Sequence, residues 1–98
     1  MATCEIRFES AFGVGAPLHS VNPDSVQIMT SSASSQASTA AATKTGCIVT
    51  ITASGGAIKF CVAAAPDTAT GTLSLVPDGS TRSFGGVASG HKVAIVDA

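Results

Sequence analysis

Apolar and polar positions alternate along most of this chain. Ile6 and Phe8 alternate with Glu5 and Arg7, and Val26 and Ile28 alternate with Ser25 and Gln27. From Cys47 to Ala53, Cys47, Val49 and Ile51 share one face while Thr50 and Thr52 share the other. From Ala57 to Ala63, Ile58, Phe60 and Val62 oppose Lys59 and Cys61. Leu73 and Leu75 form a shorter run, and Val93 and Ile95 lie in a last strand from Lys92 to Val96. A period of two is that of a strand with one buried face, and the β-branched and aromatic residues at these positions suit it. No stretch keeps a helical period for ten residues.

Turn chemistry separates these runs: Asn22-Pro23-Asp24, Ser54-Gly55-Gly56, Pro66-Asp67, Pro77-Asp78-Gly79 and Ser89-Gly90. The pattern predicts an all-β fold, a small antiparallel β-sandwich or barrel of about seven short strands. A two-residue loop at Ser54-Gly55 would make a hairpin in which Ala53 faces Gly56, Val49 meets Phe60, Ile51 meets Ile58 and Cys47 meets Val62. All the apolar side chains then share one face, which a one-residue slip would destroy. The same register sets Cys61 on the face opposite Cys47. At Pro77-Asp78-Gly79 the register stays open: a three-residue loop would pair Leu75 with Thr81 and Leu73 with Ser83, leaving Phe84 on the other face. Residues 31–44, rich in Ser, Ala and Thr, read as a polar strand followed by a loop, with a mobile surface segment as the alternative.

Composition narrows the function more than the fold. At 98 residues the chain makes one domain, 1–98, able to bury roughly 65% of its unfolded surface. Hydrophobic residues make up 45%, enough for a core, but only 11% are charged, against about 25% in ordinary domains. Ser, Thr, Ala and Gly must therefore cover most of the surface, which suits a protein covered by a partner or by other copies. A formal net charge of -1 supplies no basic field for phosphates, so no nucleic-acid partner is expected. There is no apolar run of about 20 residues to span a membrane. Charges stand near the N-terminus where a signal peptide needs apolar residues, and three cysteines make a poor disulfide framework. Assembly in a cytoplasm is the expectation.

Candidate chemistry is sparse. His19 and His91 are far apart and lack carboxylate or cysteine partners at metal-ligand spacing, so no metal site is expected. No Ser sits in a G-x-S-x-G motif. Turn formation explains Asp24, Asp67 and Asp78; Glu5, Glu9 and Asp97 complete the acidic set. Gly13-Val14-Gly15 and Gly55-Gly56 are not followed by a helical pattern or a Gly-Lys-Ser/Thr, so they read as loops rather than phosphate cradles. Cys47 and Cys61 read as small buried residues, and the exposure of Cys4 is open. Phe8, Phe12, Phe60 and Phe84 are all core candidates in a chain without Trp or Tyr, which leaves no obvious sugar platform. No catalytic or cofactor-binding residue is nominated, and no cofactor.

From Ser31 to the C-terminus the chain resembles small structural proteins encoded beside capsid genes in tailed phages, prophages and gene transfer agents. The residues that carry the resemblance begin with Gly-Cys-Ile-Val-Thr-Ile-Thr-Ala-Ser-Gly-Gly-Ala-Ile-Lys-Phe (Gly46–Phe60) and Ala-Pro-Asp-Thr-Ala-Thr (Ala65–Thr70). The Pro77-Asp78-Gly79 turn, Phe84 and the closing Ala-Ser-Gly-His-Lys-Val-Ala-Ile-Val (Ala88–Val96) follow. The final element is similar to the family's Gly-Asp-Lys-Ile-Ala-Val-Ile strand, with His91 where an acidic residue is common. Lys59-Phe60-Cys61 departs at two positions from the family's Arg-Phe-Gly.

The resemblance implies a non-enzymatic virion protein that binds the major capsid protein on the capsid exterior, as a decoration, cement or head-fibre base. Closed homo-oligomers would suit a symmetric shell, and a trimer would suit a three-fold position. The competing readings are a tail or fibre module binding host-surface glycans, a cellular β interaction domain, and an enzyme.

Overall fold

A computed structural model of the chain describes residues 2–9, 25–43 and 45–98. Among these residues eight strands form, all antiparallel: β1 (Thr3–Glu9), β2 (Ser25–Thr30), β3 (Gln36–Ala37), β4 (Cys47–Ser54), β5 (Ile58–Ala63), β6 (Ser74–Val76), β7 (Thr81–Val87) and β8 (Lys92–Asp97). They make two four-stranded sheets, A in the order β2-β1-β4-β7 and B in the order β3-β8-β5-β6. The all-β, sandwich-like expectation holds.

One apolar core lies between the sheets. Sheet A contributes Cys4, Ile6 and Phe8 from β1 and Cys47, Val49, Ile51 and Ala53 from β4. Sheet B contributes Ile58 and Phe60 from β5, Val76 from β6, and Val93 and Ile95 from β8. On β1, β4, β5 and β8 these are the alternating positions of the sequence, so period two identified four inward faces; on β6 the expected Leu75 is 50% exposed and Val76 is buried instead.

The predicted β4–β5 hairpin does not form. β4 pairs with β1 and β7, with Ile51 opposite Ile6 and Arg82, while β5 pairs with β6 and β8, with Phe60 opposite Ser74 and Ile95. Residues Ser54 to Ala57 instead carry the chain from one sheet to the other. Two apolar faces brought together across the core satisfy the pattern as well as two faces side by side, so alternation assigns the face and leaves the partner free. The Pro77-Asp78-Gly79 turn is likewise a crossing, from β6 in sheet B to β7 in sheet A, so Leu75 does not pair with Thr81. The predicted opposition of Cys47 and Cys61 survives: Cys47 is in the core, whereas Cys61 lies on the outer face of sheet B and opposite Ala94.

β2 reverses its expected faces. Gln27 stands opposite Ile6 on the inward side, and Val26 and Ile28 stand outward, opposite Arg7 and Glu5. The inward polar groups are used: Gln27 Oε1 accepts from the backbone N–H groups of Thr39 at 2.8 Å and Ala40 at 2.9 Å, and Ser25 Oγ donates to the Ala41 carbonyl at 3.0 Å. Those bonds satisfy a loop backbone that otherwise has no strand partner there.

The Ser/Ala/Thr-rich segment is thereby fixed over the structure. It holds the two-residue β3, and the buried Ser38 exchanges bonds with Val93: its N–H donates to the Val93 carbonyl at 2.7 Å, and its hydroxyl accepts from the Val93 N–H at 3.1 Å. Ser31 is fully buried and links the two sheets. Its hydroxyl accepts from the Ala2 N–H at 2.7 Å and donates to the carboxylate of Asp97, the last residue of β8. The Asn22-Pro23-Asp24 turn, Phe12 and Gly13-Val14-Gly15 lie outside the described residues.

Candidate functional site

A cleft of about 320 Å³ opens between β7, the edge of sheet A, and the β5–β6 side of sheet B. β7 owes its shape there to a bulge. Cys47 pairs with Val87 while Val49 pairs with Phe84, so Gly85 and Gly86 together face Ile48 alone. Gly86 takes φ +75°, a conformation open to glycine at little cost. The extra residue brings Phe84 and Val87 to the same face although they are three apart, where a regular strand would split them.

The floor is apolar: Phe60, Phe84, Val49 and Val87. The Phe60 and Phe84 rings lie 5.1 Å apart at 54°, a favourable tilted contact. Phe60 is buried, whereas Phe84 keeps 38% of its surface exposed. Thr72, Ser74 and His91 provide polar groups around the cleft.

Cys61 and His91 also border the cleft, but the Cys61 side chain leaves the outer face of sheet B and packs its sulfur against Gly71. Burial pushes the Cys61 thiol above its ordinary range; a backbone hydrogen bond from Asp67 pulls it down and the Asp67 charge adds to the rise. A thiol held protonated is a poor nucleophile. Its sulfur is also crowded, since a Cβ on Gly71 would stand 2.9 Å from Cys61 Sγ. The arrangement can hold a flat or apolar group against Phe84 with hydroxyl and imidazole contacts at the rim.

The other residues singled out by sequence lie elsewhere. Cys4 is fully buried, and its thiol is raised first by burial and then by the Asp97 charge. All three cysteines are free. Glu5 and Glu9 flank Arg7 along the outer face of sheet A, with contacts of 3.4 and 3.5 Å. Asp67 caps its own turn, accepting from the Ala69 N–H at 2.9 Å, and Asp78 accepts from the Gly55 N–H at 3.0 Å. These are structural roles, in keeping with turn formation at Asp67 and Asp78. His19 and Asp24 lie outside the described residues.

Sequence reasoning missed the cleft because β7 carries no alternation. The available signal was Phe84-Gly85-Gly86-Val87: two apolar residues three apart around a Gly pair, which is the mark of a bulged strand. Compared with known proteins, the chain matches no family model, no curated protein and no solved structure.

Proposed function

We propose that this chain is a non-enzymatic virion structural protein, bound to the exterior of a capsid as a decoration, cement or head-fibre base. The observation that carries the reading is the outer face of sheet A. Toward β7 it carries hydroxyls already paired with one another: the buried Thr50 with the exposed Ser83, and Thr52 with the exposed Thr81, each at 3.0 Å. A partner lying on the β7 side of that face meets hydroxyls that keep their bonds when solvent leaves, while the charges beside them on β1, Glu5 and Arg7, are already paired with each other at 3.4 Å. The resemblance of residues 31–98 to capsid-associated proteins adds the shell as the partner. Many copies on a symmetric shell would also hold by avidity where single contacts are modest.

The test separates purified particles into heads and tails and counts this chain in each by mass spectrometry. Tens to hundreds of copies with heads are expected. The exposed Phe84 ring beside Thr72, Ser74 and His91 favours a second reading, a tail or fibre module gripping host-surface glycans. A few copies confined to tails, with glycan binding lost in Phe84→Ala, would select it. Absence from particles would overturn both.

A further inference from the structure

The four sheet edges are unequally guarded. β3 has two residues and β6 has three, with Pro77 directly after it. β7 carries Arg82 and the Gly85-Gly86 bulge. Short strands, charges, prolines and bulges are the usual means of keeping an edge from pairing. β2 (Ser-Val-Gln-Ile-Met-Thr) has six residues with no charge, proline or glycine.

The direction of its free backbone groups follows from the register. The Ser31 N–H donates to the Ala2 carbonyl at 2.8 Å, and Ser31 lies directly opposite Ala2 when the β1–β2 pairing is continued. Hydrogen-bonded pairs recur at every second residue of an antiparallel ladder, so Met29, Gln27 and Ser25 bond to β1. Val26, Ile28 and Thr30 therefore turn their N–H and C=O groups to the side away from β1, where no strand among the described residues pairs with them. The same residues point their side chains outward, where Ile28 is 68% and Val26 50% exposed. Among the described residues, an unpaired sheet edge and two exposed aliphatic residues thus coincide on one strand.

We infer that β2 is a dimerisation edge, pairing antiparallel with β2 of a second copy about a two-fold axis through Ile28. A row of open N–H and C=O groups is filled by an extended chain, and β2 is complementary to itself in this register. Ile28 meets its own mate, and Val26 meets the mate's Thr30 and the reverse. All three open residues then form hydrogen-bonded pairs, and sheet A continues into an eight-stranded sheet shared by two copies. The aliphatic side chains join into a single stripe across the seam. Glu5 and Arg7 on β1 border the stripe as a polar rim. Glu5 and its mate would be three strand spacings apart, about 14 Å, beyond the reach of like-charge repulsion at physiological salt. One strand pair buries less than the roughly 800 Å² per partner of a stable interface, so the dimer is weak and concentration-dependent. This inference does not rest on the capsid reading.

The test is sedimentation equilibrium of the full chain from about 1 μM to 1 mM, with hydrogen exchange at both ends of the range. Wild type is expected to shift from monomer to dimer. The amides of Val26, Ile28 and Thr30 should gain protection as concentration rises, while those of Gln27 and Met29 stay protected throughout. Ile28→Lys, which alters an exposed side chain and should melt as wild type does, places like charges opposite each other and is expected to weaken the dimer at least about tenfold. A monomer across the whole range, a dimer unaffected by Ile28→Lys, or protection gained at some other edge would each overturn the inference.

Discussion

The Gly55 N–H donates to the Asp78 carboxylate at 3.0 Å, joining two turns that are 23 residues apart in the chain. Both turns carry the chain between the sheets, Ser54 to Ala57 from A to B and Pro77 to Ser80 from B to A. Backbone bonds complete the junction: the Gly79 N–H donates to the Ala53 carbonyl at 2.9 Å, and the Ala53 N–H donates to the Ser80 carbonyl at 3.1 Å. The crossings therefore brace each other at one end of the sandwich, and Asp78 is the side chain that couples them.

Replacing Asp78 with Ala should cost about 0.5–1.5 kcal/mol, the range for an ordinary net hydrogen bond, because exposure to solvent discounts the larger worth of a charged acceptor. Asp78→Asn keeps an acceptor and should recover part of the loss. Denaturant midpoints of the two variants test this, and equal stability of Asp78→Ala and wild type would show that the turns are held by backbone alone.

Phe60 and Phe84 share a ring contact but not an environment. Phe60 is a core residue against both sheets, so Phe60→Ala should cost roughly 3–5 kcal/mol. Phe84 is partly exposed on the cleft, and Phe84→Ala should cost about 1–2 kcal/mol. Equilibrium unfolding in urea measures both, and the order of the two losses is the outcome at stake.

Period two made the fold class and most of the core legible, because Val49, Ile51, Ile58, Phe60, Val93 and Ile95 each follow it and each is buried. Strand partners were not legible. An inward face looks the same whether its neighbour lies beside it or across the core, and Ser54-Gly55 serves a crossing as readily as a hairpin. β2 misled for a different reason: Gln27 and Ser25 face inward to bond a loop backbone, which no hydrophobicity pattern encodes. The cleft stayed hidden because a bulge shifts Phe84 and Val87 out of the period on which strand reading depends.

Gly71 is constrained by space. A Cβ there would meet Cys61 Sγ at 2.9 Å and the Asp67 carbonyl oxygen at 3.1 Å, beneath the loop that covers the outer face of sheet B. Gly71→Ala should cost about 1–3 kcal/mol as an overpacked site. Because the sulfur is the nearest atom, the same change in a Cys61→Ala background should cost less, and a double-mutant cycle would register the difference as coupling. Additive losses would mean that the Asp67 carbonyl oxygen and the Cβ of residue 61, both 3.1 Å away and both kept in Cys61→Ala, set the limit.

The two raised thiols make a prediction about alkaline pH. Burial is the main cause at both Cys4 and Cys61, with the charge of Asp97 adding at Cys4 and that of Asp67 at Cys61. The folded state therefore holds these protons more tightly than the unfolded chain does. Stability from this source is fully present below the unfolded thiol pKa of about 8.5 and is lost as pH rises through the folded values. The chain contains no Tyr, which removes one group that usually obscures this range. Urea midpoints measured from pH 7 to 10 should stay level in this contribution up to about pH 8.5 and fall beyond it. A Cys4→Ala, Cys61→Ala variant starts lower because a buried sulfur is lost, but its midpoint should fall less steeply above that pH. Native protein should also react slowly with a thiol reagent at pH 8, with all three thiols released on unfolding. An equal alkaline slope in the variant would show that the thiols do not carry the pH dependence.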